Sequence, residues 1–325
     1  MDLFSNTNYN FTKWRWHALA FSAILIVLGI VQIARHGLPL GIDFSGGTIV
    51  VLKFQQPTSE EAVRTALDTI PGEKVVQQYG DASANEVLVR LPQAQQTEQG
   101  TSLEQGATQV LNAVRAANLG TFEVISTEIV GPVIGKDLQR KGLYATFASI
   151  LGITLYIAFR FRLSFAIGAI AATLHDVIVT LAVLTFFGYE LSLNVIAAIL
   201  TITGYSVNDT IVIFDRVREN FRTMRGASLE HQVNTSVNQT LSRTIITAGT
   251  TFLSVLALYI FGGEVLEGFA FTMLVGIISG TYSTVFIASA SAIALSKNEA
   301  NTPAAPSASA RSASDRPRRR ERRNA

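Results

Sequence analysis

Cysteine is absent from the 325 residues, which excludes a disulfide framework, a thiolate metal site and a cysteine nucleophile. Charge is scarce too. Only 15% of residues are Asp, Glu, Lys or Arg, where soluble domains carry about a quarter. Proline is rare, at 8 residues, and none falls inside a long apolar run, so the broken helices of some transporter folds are not signalled. The phosphate-cradling patterns GxxxxGK[ST] and GxGxxG are missing, and Gly46-Gly47 after Asp43 fits neither. No nucleophile stands beside a base. An ordinary soluble enzyme, an ATP-driven pump, a disordered chain and a nucleic-acid-binding domain are all disfavoured, and no enzymatic activity is expected.

What is present is hydrophobic: 48% of residues, gathered into six runs. Each approaches the roughly 20 residues a helix needs to cross an apolar layer of about 30 Å. The spans are placed at 18–36, 142–160, 164–188, 193–215, 243–262 and 267–295. The first follows Lys13-Trp14-Arg15-Trp16, an interfacial cluster, and no small-residue cleavage site follows it, so it reads as an anchor. Lys and Arg decide sidedness. Residues 1–17 carry Lys13 and Arg15, the turn after the second span carries Arg160 and Arg162, and the loop at 216–242 carries Arg216, Arg218, Arg222 and Arg225. The short loops around Tyr189-Glu190 and Gly262–Gly268 have neither residue. Both termini are therefore expected in the cytoplasm and residues 37–141 outside. The segment 296–325, with Lys297 and seven arginines, reads as a disordered basic tail. It serves as a topology signal, with anionic lipid or ribosomal RNA as alternative contacts.

Within 37–141 the pattern is β-α-β-β-α-β. Strands are expected at Thr48–Phe54, Lys74–Tyr79, Glu86–Leu91 and Phe122–Val130, with helices at Ser59–Asp68 and Leu103–Ala117. That order suggests a ferredoxin-like α+β sandwich, a fold that carries no function by itself. The glycine-bearing segments Gly37–Gly47 and Gly131–Gly142 are its expected hinges.

Polar residues inside the spans are costly, at about 2.5–3.5 kcal/mol for a mid-depth charge on insertion scales, so they mark function. Asp176 follows His175 in the third span and shares a helical face with Thr173 and Thr180. Asp209 follows Asn208 in the fourth, on the side of Thr201 and Tyr205. Arg243 opens the fifth span and begins a polar stripe through Thr247, Thr250, Thr251 and Ser254. Two readings of Arg243 stand: an ion pair with Asp209 across neighbouring helices, or an interfacial residue snorkelling to water. Asp215, Arg216, Arg218 and Glu219 read as a solvated helix end, and His175 as a buried hydrogen-bonding residue. Gly276, Gly280, Thr284, Ala288 and Ala292 form a small-residue packing stripe in the sixth span.

Five segments carry a resemblance: GIDFSGGT (Gly41–Thr48), HDVIVT (His175–Thr180), GYSVNDTIVIFDRVREN (Gly204–Asn220), LSRT (Leu241–Thr244) and FGGEVLEGF (Phe261–Phe269). Together they resemble the SecF family of bacterial protein-export subunits, within the resistance-nodulation-division superfamily. The likeness spans roughly residues 10–296 and leaves out the tail. It implies half of a pseudo-symmetric membrane unit in the bacterial inner membrane, completed by SecD. It further implies neighbours in the SecY-SecE-SecG channel and YajC, and a translocating preprotein as substrate. Proton flow would assist translocation without a cofactor, though some members use sodium. Asp209 and Arg243 match the family's proton-conducting positions, and Asp176 matches the aspartate of its HD pair. Asn208, Thr201, Tyr205, Thr247 and Thr251 are expected to support that path. A half-size exporter of a small solute or lipid is the alternative. A passive scaffold is a third reading, against which Asp209 and the polar stripe speak.

Overall fold

The computed structural model describes residues 7–72, 74–80, 84–92, 103–224 and 226–301. Arg225 and residues 302–325 of the expected tail lie outside the described residues. The chain is mainly helical. A 3-10 turn at Thr12–Trp14 leads into α1 (Arg15–His36) and the short α2 (Ile42–Ser45). The small domain comprises β1 (Gly47–Phe54), α3 (Glu60–Ala66), β2 (Val75–Tyr79), β3 (Glu86–Pro92), α4 (Leu103–Ala116) and β4 (Phe122–Val130). The long helices α5 (Pro132–Arg160), α6 (Leu163–Phe187), α7 (Leu193–Thr223), α8 (Leu229–Phe261) and α9 (Glu264–Ser283) follow, the last running through a π-turn at Thr284–Ala288 into α10 (Ser289–Asn301).

Six helical stretches among the described residues are long and apolar enough to cross a membrane: Thr12–Arg35, Val133–Arg160, Leu163–Phe187, Leu193–Thr223, Leu229–Phe261 and Val265–Ser296. Their starts follow ordinary capping chemistry. The Ser192 and Ser228 hydroxyls accept from the Val195 and His231 amides, and Pro132 occupies the first turn of α5 where no amide is needed. α6 stops at Gly188, whose φ of 75° is open to a residue without a Cβ.

The segment 216–242, expected as a loop, is helical up to Thr223 and again from Leu229. Polar residues mark where a helix leaves the apolar layer, yet they do not end it. Here they hold the α7–α8 hairpin together. Asn220 is buried and donates to Ser236 at 2.8 Å and Gln239 at 2.9 Å, while the Gln232 amide donates to the carbonyls of Met224 and Ala227. The expected hinge at Gly131–Gly142 is likewise the first three turns of α5. Its glycines admit neighbours: a methyl group on Gly135 would stand 3.1 Å from the Gly46 amide nitrogen, and one on Gly142 3.2 Å from Ile196 Cδ1.

The long helices are not equivalent. In the most apolar stretch of the last span 67% of residues are buried inside the chain, against 11% in that of α8. α9 packs on α6, α7 and α8, while α1 leans on α6. Small side chains set the closest approaches, since they let helix backbones meet. Gly276 and Gly280 face α7, at Ile202 and Ser206, and Gly168 of α6 abuts the π-turn. At the start of the π-turn Thr284 meets Thr210 of α7 at 3.0 Å between hydroxyls. This turn has no proline to announce it.

In the small domain the strand order is β2-β3-β1-β4, with every neighbour antiparallel and β3 between β1 and β2. Val50, Leu52 and Phe54 of β1, Val87 and Val89 of β3, Val63 of α3 and Val110 and Val114 of α4 form its core. That alternation is the period of two a half-buried strand requires.

Gly168→Ala should lower stability by about 1–3 kcal/mol, because the added methyl would sit 2.7 Å from the Ala288 carbonyl oxygen, a backbone atom. Gly152→Ala, with nothing within 4 Å, should leave the thermal unfolding midpoint in detergent unchanged or raised. Equal midpoints for the two variants would refute the close α6–π-turn contact.

Candidate functional site

Two carboxylates lie inside the helical bundle, and the fold gives them opposite surroundings. Asp176, on α6, is 1% exposed. Its Oδ2 accepts from the hydroxyls of Ser206 on α7 and Ser283 on α9, each at 2.7 Å. Its Oδ1 accepts from Ser279 on α9 at 2.8 Å and lies 3.1 Å from His175 Nδ1. A carboxylate has about four lone-pair sites, and these contacts occupy them. Its burial is compensated by three hydroxyl donors drawn from two neighbouring helices, α7 and α9. His175 stacks obliquely on Tyr282, whose hydroxyl donates to the Ala18 carbonyl and so ties α1 to α9. Thr173 and Thr180, on the same face as Asp176, are buried as well.

Asp209, on α7, is only half enclosed. Its Oδ1 accepts from Thr244 of α8 at 2.8 Å, and its Oδ2 has no hydrogen-bond partner. Tyr205, one turn earlier, has a buried hydroxyl that is also unpartnered. The two helices are neighbours, as the sequence reading required, but the direct ion pair is not formed: among the described residues no carboxylate lies within 4.0 Å of Arg243. Thr244 takes that place because it sits one residue on, about 100° around the helix. Arg243 is exposed on the flank of α8, one residue before Thr244.

Thr201, Asn208, Thr247, Thr250 and Ser254 are exposed, and Thr251 is half-exposed. The four hydroxyls on α8 from Thr247 to Ser254, with Thr201 on α7, donate back to carbonyls three or four residues earlier in their own helices. They satisfy themselves while keeping lone pairs directed outward. The polar face expected from spacing is thus present and looks out of the bundle. Asp176 does not belong to it and sits behind it in the core. Gly276 and Gly280 are buried between them, packing α9 on α7.

At the end nearest the small domain, sequence reasoning missed a second constellation. Arg90 of β3 is buried, pairs with Glu190 in the α6–α7 loop and donates to the Leu40 carbonyl. Asp43 of α2 accepts from the Leu193 amide at the start of α7 at 2.9 Å, where the helix dipole favours an anion. Gly41 and Leu191 join through a backbone bond of 2.8 Å. The glycine-bearing segment expected to be a hinge is therefore pinned to the helices. Beside it Tyr189 donates to Glu267 at 2.5 Å, lies 3.2 Å from the Tyr259 hydroxyl and stacks on Phe271. Burial first, then the Glu267 carboxylate, pushes the Tyr189 phenol well above its ordinary range, so it stays a neutral donor.

Comparison with known proteins agrees in extent with this architecture. The family description "Protein export membrane protein SecD/SecF, C-terminal" matches residues 109–298, and "SecD/SecF GG Motif" matches residues 33–58. The chain is 44% identical over 284 residues to the protein translocase subunit SecF of Desulfurispirillum indicum, covering 86% of this chain and 89% of that one. It is 39% identical over 288 residues to the SecF of Escherichia coli O157:H7, covering 88% of each. Among solved structures it resembles SecDF, a translocon-associated membrane protein from Thermus, at a TM-score of 0.79 and 36% identity over 90% of this chain. A SecDF in a super-membrane-facing form resembles it at 0.67 and 35% over 96%. The chain spans only about two-fifths of those SecDF chains, 39% and 40% of their lengths.

Asp176→Ala would strand three buried serine hydroxyls and should destabilise the bundle by roughly 2 kcal/mol or more, read as thermal unfolding in detergent. Asp209→Ala, which frees one threonine, should cost well under half of that. Arg90→Ala should leave the fold intact but speed amide hydrogen exchange at Gly41 and Leu191. Unchanged exchange there would show that Arg90 contributes no clamp.

Proposed function

The chain belongs to the SecD/SecF family of protein export membrane proteins, and we propose that it acts in export as the six-helix SecF-type partner of a SecD-type subunit. The observation that carries this reading is the outward polar face on α7 and α8. An exposed Arg243 and a row of exposed hydroxyls are costly against lipid, and Asp209, half-enclosed beside them, keeps a buried oxygen without a partner. A second helical bundle with its own polar face would cover them. The SecDF chains, of which this chain matches about two-fifths, are long enough to include such a bundle.

In this proposal the chain sits in the bacterial inner membrane with both ends in the cytoplasm and the small domain outside. Ions, taken to be protons, pass along the covered face and titrate Asp209. The Thr244 bond holds the carboxylate toward α8, and Arg243 stands beside it as the alternative partner. Protonation would release Arg243 from the carboxylate's field and change which helix face the pair prefers. A charge crossing 100 mV supplies about 2.3 kcal/mol, enough to bias two packings that differ by that amount. Asp176 keeps α6, α7 and α9 in register while this happens, and so supports the path from behind.

The movement needs a route to the small domain. In this reading Asp43 of α2, bonded to the Leu193 amide at the start of α7, and the Arg90–Glu190 pair provide it, because a tilt of α7 would pull on α2 and on β3 at once. Assistance to preproteins emerging from a SecY-SecE-SecG channel, with YajC nearby, is the activity this would serve.

Asp209→Asn should abolish the stimulation of export by an ion gradient in reconstituted vesicles while leaving co-purification of the SecD-type partner intact. Arg243→Ala should be comparably severe, and Arg243→Lys should keep part of the activity. Full stimulation by Asp209→Asn removes the carboxylate from the mechanism. Purification as a self-sufficient oligomer moving a small solute would favour the exporter reading instead.

A further inference from the structure

At the end of the bundle away from the small domain, the α5–α6 turn and the last two turns of α7 enclose a cavity of about 580 Å³. Arg160, Arg162, Arg218 and Arg222 surround it, and Phe214 and Phe221 form part of its wall. Two segments far apart in sequence supply the arginines, so the fold focuses charges that orientation in a membrane requires only to be nearby. Arg160 is held by Asp215 at 3.0 Å, which fixes the turn against α7. The Arg162 guanidinium lies 5.9 Å from the centre of the Phe221 ring. Among the described residues, Arg162, Arg218 and Arg222 have no carboxylate within 4.0 Å. α6 also begins at this wall, with no side chain capping its first turn.

We infer that this cavity binds the phosphodiester headgroup of an anionic phospholipid. Guanidinium groups grip phosphate oxygens in pairs, and basic pockets between helices at the membrane surface suit such headgroups. The volume falls within the range of small-ligand sites. Lipid is favoured over a free anion by what flanks the turn: Phe159 is 95% exposed and Leu163 66% exposed. These two apolar side chains stand immediately before and after the arginines, placed to meet acyl chains while the headgroup meets the charges. A bound lipid would staple the α5–α6 turn to α7, the helix that carries Asp209. The inference does not depend on the proposed ion coupling and is tested without it.

The full chain, purified in mild detergent, is titrated with dioctanoyl phosphatidylglycerol, dioctanoyl phosphatidylcholine or inorganic phosphate and followed by native mass spectrometry. Saturable binding of the glycerol lipid, roughly tenfold or more tighter than the choline lipid, is expected. Arg218→Gln with Arg222→Gln should weaken it by about tenfold, a loss of about 1.4 kcal/mol, and the paired lysine replacements should fall between, since charge remains without the planar fork. Lys13→Gln with Arg216→Gln removes two charges at the same end but outside the cavity, and should bind as the parent does. Equal lipid binding by the Arg218/Arg222 glutamine variant and the parent would overturn the site. Displacement of the lipid by an equal concentration of inorganic phosphate would overturn the lipid assignment in favour of a free anion.

Discussion

The bundle is organised around one buried carboxyl group. Asp176 brings a strongly polar group into an apolar interior, and the three serines that receive it come from two other helices. Each hydroxyl must reach an oxygen at 2.7–2.8 Å, so α6, α7 and α9 are fixed in both height and rotation. Apolar contacts alone would not do this. Between helices they are non-directional, and lipid offers side chains an equally apolar alternative. Small residues follow from the same constraint: Gly280 lets the serines close on the carboxylate, because a methyl group there would meet Ser206 at 3.0 Å.

With the centre locked, polarity elsewhere acquires a different meaning. Asp209 lies on α7 three residues from Ser206, yet it points toward the peripheral helix α8 and keeps one oxygen unpaired. One carboxylate is saturated and enclosed; the other is half-satisfied and at an edge. The first suits a fixed strut. The second suits a group whose partner changes. Both are joined through α7, whose first residue is held by Asp43 and whose last turns line the arginine cavity. This helix therefore touches the small domain's anchor, the central strut, the outward polar face and the opposite surface.

Much of this was written in local pattern. Six long apolar runs, the β-α-β-β-α-β order and the choice of Asp209, Arg243 and Asp176 follow from periodicity and from the cost of charge in oil. Helix ends were less legible. Polar residues at 216–242 suggested a loop because leaving the membrane resembles stopping, whereas Asn220 and Gln232 extend the hairpin with buried hydrogen bonds. Glycine in Gly131–Gly142 suggested a hinge because its backbone freedom and its small size look alike in a sequence.

By itself the sequence determined the six long apolar helical runs, the composition of each and which residues were too expensive to be there by accident, since those are properties of one segment against its solvent. Only the tertiary structure decided partners. A serine in an apolar helix can always bond its own preceding turn, so nothing along the chain marks Ser206, Ser279 and Ser283 as ligands of Asp176. Thr244 and Arg243 are adjacent in sequence, and a rotation of one residue about the axis of α8 settles which of them meets Asp209. Arg90 and Glu190 lie a hundred residues apart. Pairings of that kind depend on how elements pack, and packing is set by all the contacts at once.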